Sequence, residues 1–167
     1  VHAFSQIVHV DSSCDKVNYK WIQVINSFFP SDILVKDIYR LYNDFHARYS
    51  AVDRTYRYII LNQTHPSTYF LTTTLHYSDK INISKIKSSF KYLRGKKDYS
   101  SFQSSGCSAK SPIKHIKSIK IIKHNNFRYI DITANSFLYH MVRNIVGALL
   151  DVGSLKTDPD FIHELVE

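Results

Sequence analysis

Two apolar segments separated by a pair of asparagines constrain the fold of this chain more than any other feature. Residues 116–124 and 127–133 are rich in isoleucine and aromatic residues, and Asn125 and Asn126 stand between them. Because asparagine tolerates the left-handed backbone of two-residue turns, this pattern predicts an antiparallel β-hairpin. The hairpin in turn predicts a sheet in which neighbouring strands are antiparallel.

Apolar periodicity predicts the other elements of the chain. The predicted helices cover residues 21–29, 83–93 and 137–152 and a last segment that Asp158 and Pro159 open; the further strands cover 1–10, 33–39 and 55–61. Residues 62–77 and 98–112 are predicted to be irregular, and Gly95 stands where a left-handed helix cap belongs. Helices and strands mix without a strict βαβ rhythm. We therefore expect an α+β fold, with packed helices and a largely antiparallel mixed sheet.

Size and charge bound the function. With 167 residues and 44% hydrophobic content, one globular domain is expected. A net charge of +8 favours a polyanionic partner such as RNA or DNA, although a solubilising surface would give the same charge. Twelve tyrosines and ten phenylalanines supply rings for stacking on bases and favour the first interpretation.

Neither a membrane nor a metal is supported by the sequence. No apolar run has the length needed to cross a bilayer. Cys14 and Cys107 are far apart and have no zinc-ligand spacing, so we expect incidental thiols in a cytoplasmic protein. No motif for ATP, nicotinamide or a metal is found, and we expect no cofactor.

A dense basic and aromatic segment is the first candidate binding site. It consists of Phe45, His46, Ala47, Arg48 and Tyr49. Arginine and histidine hold phosphates, and bases stack on aromatic rings. An ordinary polar loop is the alternative. The density of the segment, which Arg54, Tyr56 and Arg57 follow closely, favours binding.

The long helix near the end of the chain is the second candidate. The spacing of His140, Arg143 and Gly147 predicts that they share one face, turned away from the apolar stripe. A solvated surface is the alternative. A glycine inside a helix costs about 1 kcal/mol, so Gly147 suggests that another backbone or a ligand comes close. Arg143 could orient a buried carboxylate through a bidentate contact.

A small-residue loop is a third and weaker candidate. It consists of Gly106, Cys107, Ser108, Ala109 and Lys110. Small residues would let the backbone approach a phosphate chain, to which Lys110 would add charge. We do not expect Cys107 to be a nucleophile, because nothing in the sequence identifies a histidine partner.

Four landmarks make the chain resemble the TruA-type tRNA pseudouridine synthases over nearly its whole length. They are FHARYSA at residues 45–51, RTYRY at 54–58, DYSSF at 98–102 and HMVRNIVG at 140–147. The resemblance implies the pseudouridine synthase fold. It also implies isomerisation of uridine to pseudouridine at positions 38 to 40 of the tRNA anticodon stem-loop, without a cofactor. The target base must leave its stack to be reached.

Residue roles follow from the same resemblance. Tyr56 corresponds to the tyrosine that packs on the target base, and Arg143 to the arginine that pairs with the catalytic aspartate. Residues 45–49 and 106–110 correspond to tRNA-contacting loops, and His140 is added to the predicted RNA contacts. Family members are homodimers that hold tRNA across both subunits, so a homodimer is expected.

The ends of the chain depart from the family pattern. Val1-His2-Ala3 is similar to the end of the family's G-R-T-D-x-G-V-H-A motif, whose catalytic aspartate would precede Val1. The family's C-terminal strands would follow Glu167. We therefore expect residues 1–167 to be one catalytic-domain fragment, truncated at both ends and inactive by itself; residues 62–80 mark where a subdomain change would fall. A non-catalytic RNA-binding α/β module and a hydrolase with an unrecognised site are the alternatives.

Overall fold

A computed structural model describes residues 3–13, 19–41 and 44–166. These residues form two compact units that meet in sequence between Ala51 and Val52. The stretch 62–80 lies inside the second unit.

The first unit contains one helix, α1, at Tyr19–Phe28, close to the predicted one. Residues 3–10 and 33–39 contain no β-strand, so the strands predicted there are wrong; Val1 and His2 lie outside the described residues. The backbone of Val35 shows how its bonds are satisfied instead. Its N–H donates to Asn26 Oδ1 at 2.7 Å and its carbonyl accepts from Asn26 Nδ2 at 3.0 Å, so an asparagine side chain takes the place of a neighbouring strand.

The second unit is built on a five-stranded sheet. The strands are β1 Arg54–Asn62, β2 Leu75–Tyr77, β3 Gly95–Asp98, β4 Ile113–His124 and β5 Phe127–Ala134. They lie in the order β2-β1-β5-β4-β3. The β1–β2 pair is parallel, and the other three pairs are antiparallel. The predicted α+β fold with a largely antiparallel mixed sheet is thus confirmed.

The predicted hairpin is present. β4 and β5 pair in the register His124 with Phe127, and Asn125 adopts a left-handed φ of 49°. Along β5 buried residues alternate with half-buried ones, so one face of the sheet enters the core. This face carries Ile130 and Ile132, both fully buried.

Two helices, α2 Ile83–Leu93 and α3 Met141–Gly153, pack on the buried face of the sheet. The short helix α4 Phe161–Glu164 packs on α2. Met141, Ile145 and Leu149 of α3 recur at helical spacing and are fully buried in the same core cluster as the sheet residues. Burying such side chains stabilises the unit by about 1.5–3 kcal/mol each.

Two connections differ from the sequence predictions. Residues 62–77 include a 3-10 turn at Thr68–Phe70 and the short strand β2. The last helix begins at Phe161, after Asp160 rather than after Asp158. The predicted cap at Gly95 is confirmed, because Gly95 follows Arg94 at the end of α2 and has a left-handed φ of 103°; it is also the first residue of β3.

Candidate functional site

Tyr56 lies near the start of β1, which begins at Arg54. It shares a sheet face with Tyr58 and Ile60, but exposure changes along the strand: Tyr56 is 40% exposed, whereas Ile60 is completely buried. Its ring meets that of Phe137 in a T-shaped contact, with centroids 5.2 Å apart and planes at 82°. Such an edge-to-face contact fixes an aromatic ring while leaving one of its faces accessible. Tyr56 is thus an oriented, half-open ring, as a base-stacking role requires.

The turn that follows β5 leads from this ring to α3. Leu138 of the turn is buried, and the carbonyl of Leu138 accepts a hydrogen bond from Met141 N at 3.2 Å. His140 has a left-handed φ of 57° and stacks on Tyr139 at 3.8 Å. The helix therefore begins at Met141 and not at residue 137. The prediction that His140 shares a helical face with Arg143 is wrong, since His140 precedes the helix.

Arg143 and Gly147 do share an exposed face of α3. They are four residues apart, and the buried Met141 and Ile145 lie on another side of the helix. Within the described ranges, Arg143 makes no hydrogen bond or ion pair that would hold its guanidinium. A Cβ built on Gly147 would meet no described atom within 4 Å. The face of α3 that carries Arg143 and Gly147 is therefore open to an incoming group.

Asn144 connects α3 to the loop at 103–111. Its side-chain Nδ2 donates to the carbonyl of Phe102 at 2.8 Å and lies 3.4 Å from Ser104 Oγ. A second link runs from Ser104 N to the carbonyl of Tyr139 at 3.1 Å. Asn144 is not among the site residues predicted from the sequence. An amide in a helix interior, next to apolar residues, is the signal that could have identified it.

Cys107 forms the third link between this loop and the turn. Tyr139 N donates to Cys107 Sγ at 3.3 Å. This bond, a second one from Ala109 N and the charge of Lys114 lower the pKa of the Cys107 thiol against a small opposing effect of burial. The thiol is free and half-buried; Cys14 lies outside the described residues.

The rest of the loop is open to solvent. Gly106 has a left-handed φ of 80°, which glycine adopts without strain, and it is exposed. Ser108, Ala109 and Lys110 are exposed as well. The predicted RNA-contacting loop 106–110 is therefore anchored at Cys107 and exposed on both sides of it.

The two arginines after the basic segment are engaged within the protein. Arg57 donates from Nε and Nη2 to the two carboxylate oxygens of Asp131 at 2.7 and 2.8 Å. That hydrogen bonding, with the carboxylate charge, raises the pKa of Arg57. Arg54 donates to the carbonyl of Asn135 at 2.7 Å. Both contacts hold β1 against β5 and its following turn, so these guanidinium groups are less available to phosphate than the sequence suggested.

The segment 45–49 belongs to the first unit. The ring of His46 lies 4.2 Å from the rings of both His9 and Tyr49, centroid to centroid. The guanidinium of Arg48 is 5.9 Å from the Tyr49 ring centroid. Arg48 and Tyr49 are exposed, whereas Phe45, His46 and Ala47 are half-buried. The segment thus presents a cation and a phenol ring together.

The described residues contain neither a metal-binding cluster nor a membrane-spanning helix. They contain no cluster of three or more histidine, cysteine or acidic side chains arranged to hold a metal ion. None of their helices combines the length and the apolar character that crossing a membrane requires.

Comparison with known proteins agrees with the fold and the landmarks. A family model described as tRNA pseudouridine synthase matches residues 90–167. Over all 167 residues, the chain is 38% identical to tRNA pseudouridine synthase A of Buchnera aphidicola subsp. Acyrthosiphon pisum (strain APS), of which it covers 63%. It is 37% identical to the protein of that name from Hydrogenovibrio crunogenus and covers 64% of it. The chain is thus similar over its whole length to proteins named tRNA pseudouridine synthase A, and it spans less than two thirds of these relatives' length.

Proposed function

We propose that the full-length protein isomerises uridine to pseudouridine at positions 38 to 40 of the tRNA anticodon stem-loop. The observation that carries the proposal is the arrangement of two family landmarks in the second unit. Tyr56 packs on Phe137, and the turn that Phe137 begins leads directly into the helix that presents Arg143. The relatives named tRNA pseudouridine synthase A support the reaction and its substrate.

The reaction needs no redox partner. The C1′–N1 bond of the uridine breaks, the uracil turns, and a C1′–C5 bond forms; N1 gains a hydrogen and C5 loses one. In the proposed site the exposed face of Tyr56 packs on the extruded uracil. Arg143 holds the aspartate that starts the reaction, through a charge-assisted contact that fixes the carboxylate. That aspartate belongs to the family's G-R-T-D motif.

The remaining predicted residues would hold the tRNA. Arg48 and Lys110 are exposed cations, one in each of the loops 45–49 and 106–110. Exposed cations on a chain of net charge +8 attract a phosphate backbone. Tyr49 and His140 supply aromatic rings. The homodimer and the cytoplasmic location remain part of this proposal.

The test is a comparison of two charge-removing variants of the full-length protein. Arg143→Ala should lower tRNA modification by about a hundredfold or more, because the aspartate loses its partner, while tRNA binding stays detectable. Lys87→Ala, which removes an exposed cation from α2, is the matched control and should leave modification unchanged. Equal, small effects of both variants would instead favour a non-catalytic RNA-binding module.

The chain by itself gives a second test. We expect residues 1–167 alone to show no turnover, because these residues do not include the family's G-R-T-D motif. Turnover by this chain in a tritium-release assay on uridine-labelled tRNA would contradict the assignment of the nucleophile.

A further inference from the structure

The backbone of the basic segment closes on itself within the first unit. Ser50 N donates to the carbonyl of His46 at 2.8 Å, and His46 N donates to Ser50 Oγ at 3.0 Å. These two bonds join the ends of a single turn. Arg48 and Tyr49 lie inside it, so the conformation of this turn decides where both side chains project.

The imidazole of His46 satisfies the backbone inside the turn. Its Nδ1 accepts hydrogen bonds from Arg48 N at 3.1 Å and from Tyr49 N at 3.3 Å. An atom that accepts two N–H groups must present a lone pair, so the ring hydrogen belongs on Nε2. The Nδ1 of His9 accepts in the same way from Ala47 N at 3.4 Å. Imidazole nitrogens thus take up three consecutive backbone N–H groups.

The position of the His46 ring supports this role. Its centroid lies 4.2 Å from those of His9 and Tyr49, so two neighbouring rings pack against it, and the residue is half-buried. The residues that face outward are Arg48 and Tyr49, the latter 77% exposed. His46 is thus turned toward its own backbone.

We propose that His46 is a positioning residue for tRNA binding rather than a contact to phosphate. It acts as a side-chain acceptor that caps the turn 46–50 and thereby fixes the directions of Arg48 and Tyr49. The proposal rests on the proposed function for the identity of the ligand. The cap itself does not depend on it.

Four substitutions of His46 distinguish a hydrogen-bond acceptor that caps the turn from a side chain that contacts phosphate. Asn carries its oxygen where histidine carries Nδ1, one bond beyond Cγ, whereas Gln carries it one bond further out. His46→Asn should therefore preserve the turn, and His46→Gln and His46→Ala should not. His46→Arg introduces a cation and removes the acceptor. A phosphate-contacting histidine would tolerate Arg best, and a capping histidine would tolerate Asn best.

The experiment measures two properties of the full-length protein. With unmodified tRNA, the Kd and KM of His46→Asn should stay within about threefold of the parent protein, and those of the Gln, Ala and Arg variants should rise about tenfold, with kcat unchanged. Hydrogen exchange of the Arg48 and Tyr49 amides should accelerate in the same three variants. His124→Ala, at the exposed end of β4, is the control and should change neither property.

Each outcome has a definite meaning. Tighter tRNA binding by His46→Arg than by His46→Asn overturns the positioning role, as does amide exchange that is equal in the Asn and Ala variants. If the parent protein does not modify tRNA, the proposed function fails, yet the amide exchange still decides whether His46 caps the turn.

Discussion

The side-chain amide of Asn144 donates to the carbonyl oxygen of Phe102 across 2.8 Å, although 42 residues separate them in sequence. Because Asn144 follows Arg143 directly, this bond ties the helix that carries the guanidinium to the beginning of the loop 103–111. Ser104 N and Cys107 Sγ extend the tie to the two backbone groups of Tyr139. The helix of the proposed catalytic arginine and the proposed tRNA-contacting loop are therefore linked by hydrogen bonds through Asn144 and Tyr139.

Replacing Asn144 by Ala should weaken the link between α3 and the loop 103–111. The carbonyl of Phe102 would lose its donor, which costs about 1–3 kcal/mol for a buried acceptor. We expect a lower free energy of unfolding by that amount in urea denaturation, and kcat/KM for tRNA lowered by about tenfold in the full-length protein. Asn126→Ala is the control, because the Asn126 side chain bonds only Gln63 on an exposed turn. Equal behaviour of the two variants would remove the coupling argued here.

The two glycines of α3 predict opposite responses to alanine. A Cβ at Gly147 meets no described atom within 4 Å, so Gly147→Ala should stabilise the helix by about 0.5–1 kcal/mol. A Cβ at Gly153 would lie 2.8 Å from Cδ1 of the buried Ile86, so Gly153→Ala should destabilise by about 1–3 kcal/mol. Thermal or urea unfolding measures both.

The tRNA-modifying activity of full-length Gly147→Ala then shows whether anything packs against Gly147 during the reaction. If tRNA or another part of the full-length protein packs there, Gly147→Ala should lower modification even though the protein unfolds less readily. If Gly147→Ala is more stable and fully active, the face of α3 beside Arg143 stays open during the reaction.

The sequence predicted those parts of the fold that depend on local patterns. The hairpin at Asn125 and Asn126, and α2, required only turn chemistry and periodicity. The strand β3, with the sequence Gly-Lys-Lys-Asp, was missed because an edge strand rich in lysine has no apolar alternation. The strand predicted at 33–39 failed for the opposite reason. Its apolar pattern is present, but in the described part of the chain its backbone bonds a side chain.

The candidate site was predictable only in part. Tyr56 and Arg143 stand in landmark motifs, and the structure gives Tyr56 an oriented ring and Arg143 an exposed position. The structural use of Arg57 was not predictable, because its partner Asp131 is 74 residues away and is brought opposite by the register of β1 with β5. The capping role of His46 was hidden because the sequence gives its type and not the direction of its ring.

Removing the buried hydroxyl of Tyr99 should lower the free energy of unfolding. The residue is fully buried, and its hydroxyl donates to the carbonyl of Leu93 at 2.6 Å, near the end of α2. Tyr99→Phe leaves that carbonyl without this donor and should destabilise by about 1–2 kcal/mol. Tyr69→Phe is the control, since Tyr69 is 91% exposed, and should have no effect.

The same residue should affect stability at high pH. Burial raises the pKa of Tyr99 to about 12, above the 10.0 of an ordinary phenol. The unfolded chain therefore releases this proton at lower pH than the folded chain does. Unfolding should become easier as pH rises from about 10 to about 12, and urea titrations should show that Tyr99→Phe lacks this contribution.

Cys107 predicts a pH-dependent reactivity that reports on the loop. Hydrogen bonds from Tyr139 N and Ala109 N lower its pKa below the 9.0 of an ordinary thiol. In a Cys14→Ser background, the rate of alkylation by iodoacetamide against pH should have its midpoint below 9.0 in the folded protein. In urea the midpoint should return to the ordinary value.

The sign of the linked stability follows from the same shift. Because the folded-state pKa is the lower one, the Cys107 thiolate favours the folded protein fully above pH 9.0, and this contribution disappears as pH falls through the folded-state pKa. Cys14→Ser with Cys107→Ser should not be alkylated and should lack the contribution. A folded-state midpoint at or above the urea value would mean that the N–H groups of Tyr139 and Ala109 do not stabilise the thiolate. The loop would then depend on Asn144 and Ser104 alone for its attachment to the helix of Arg143.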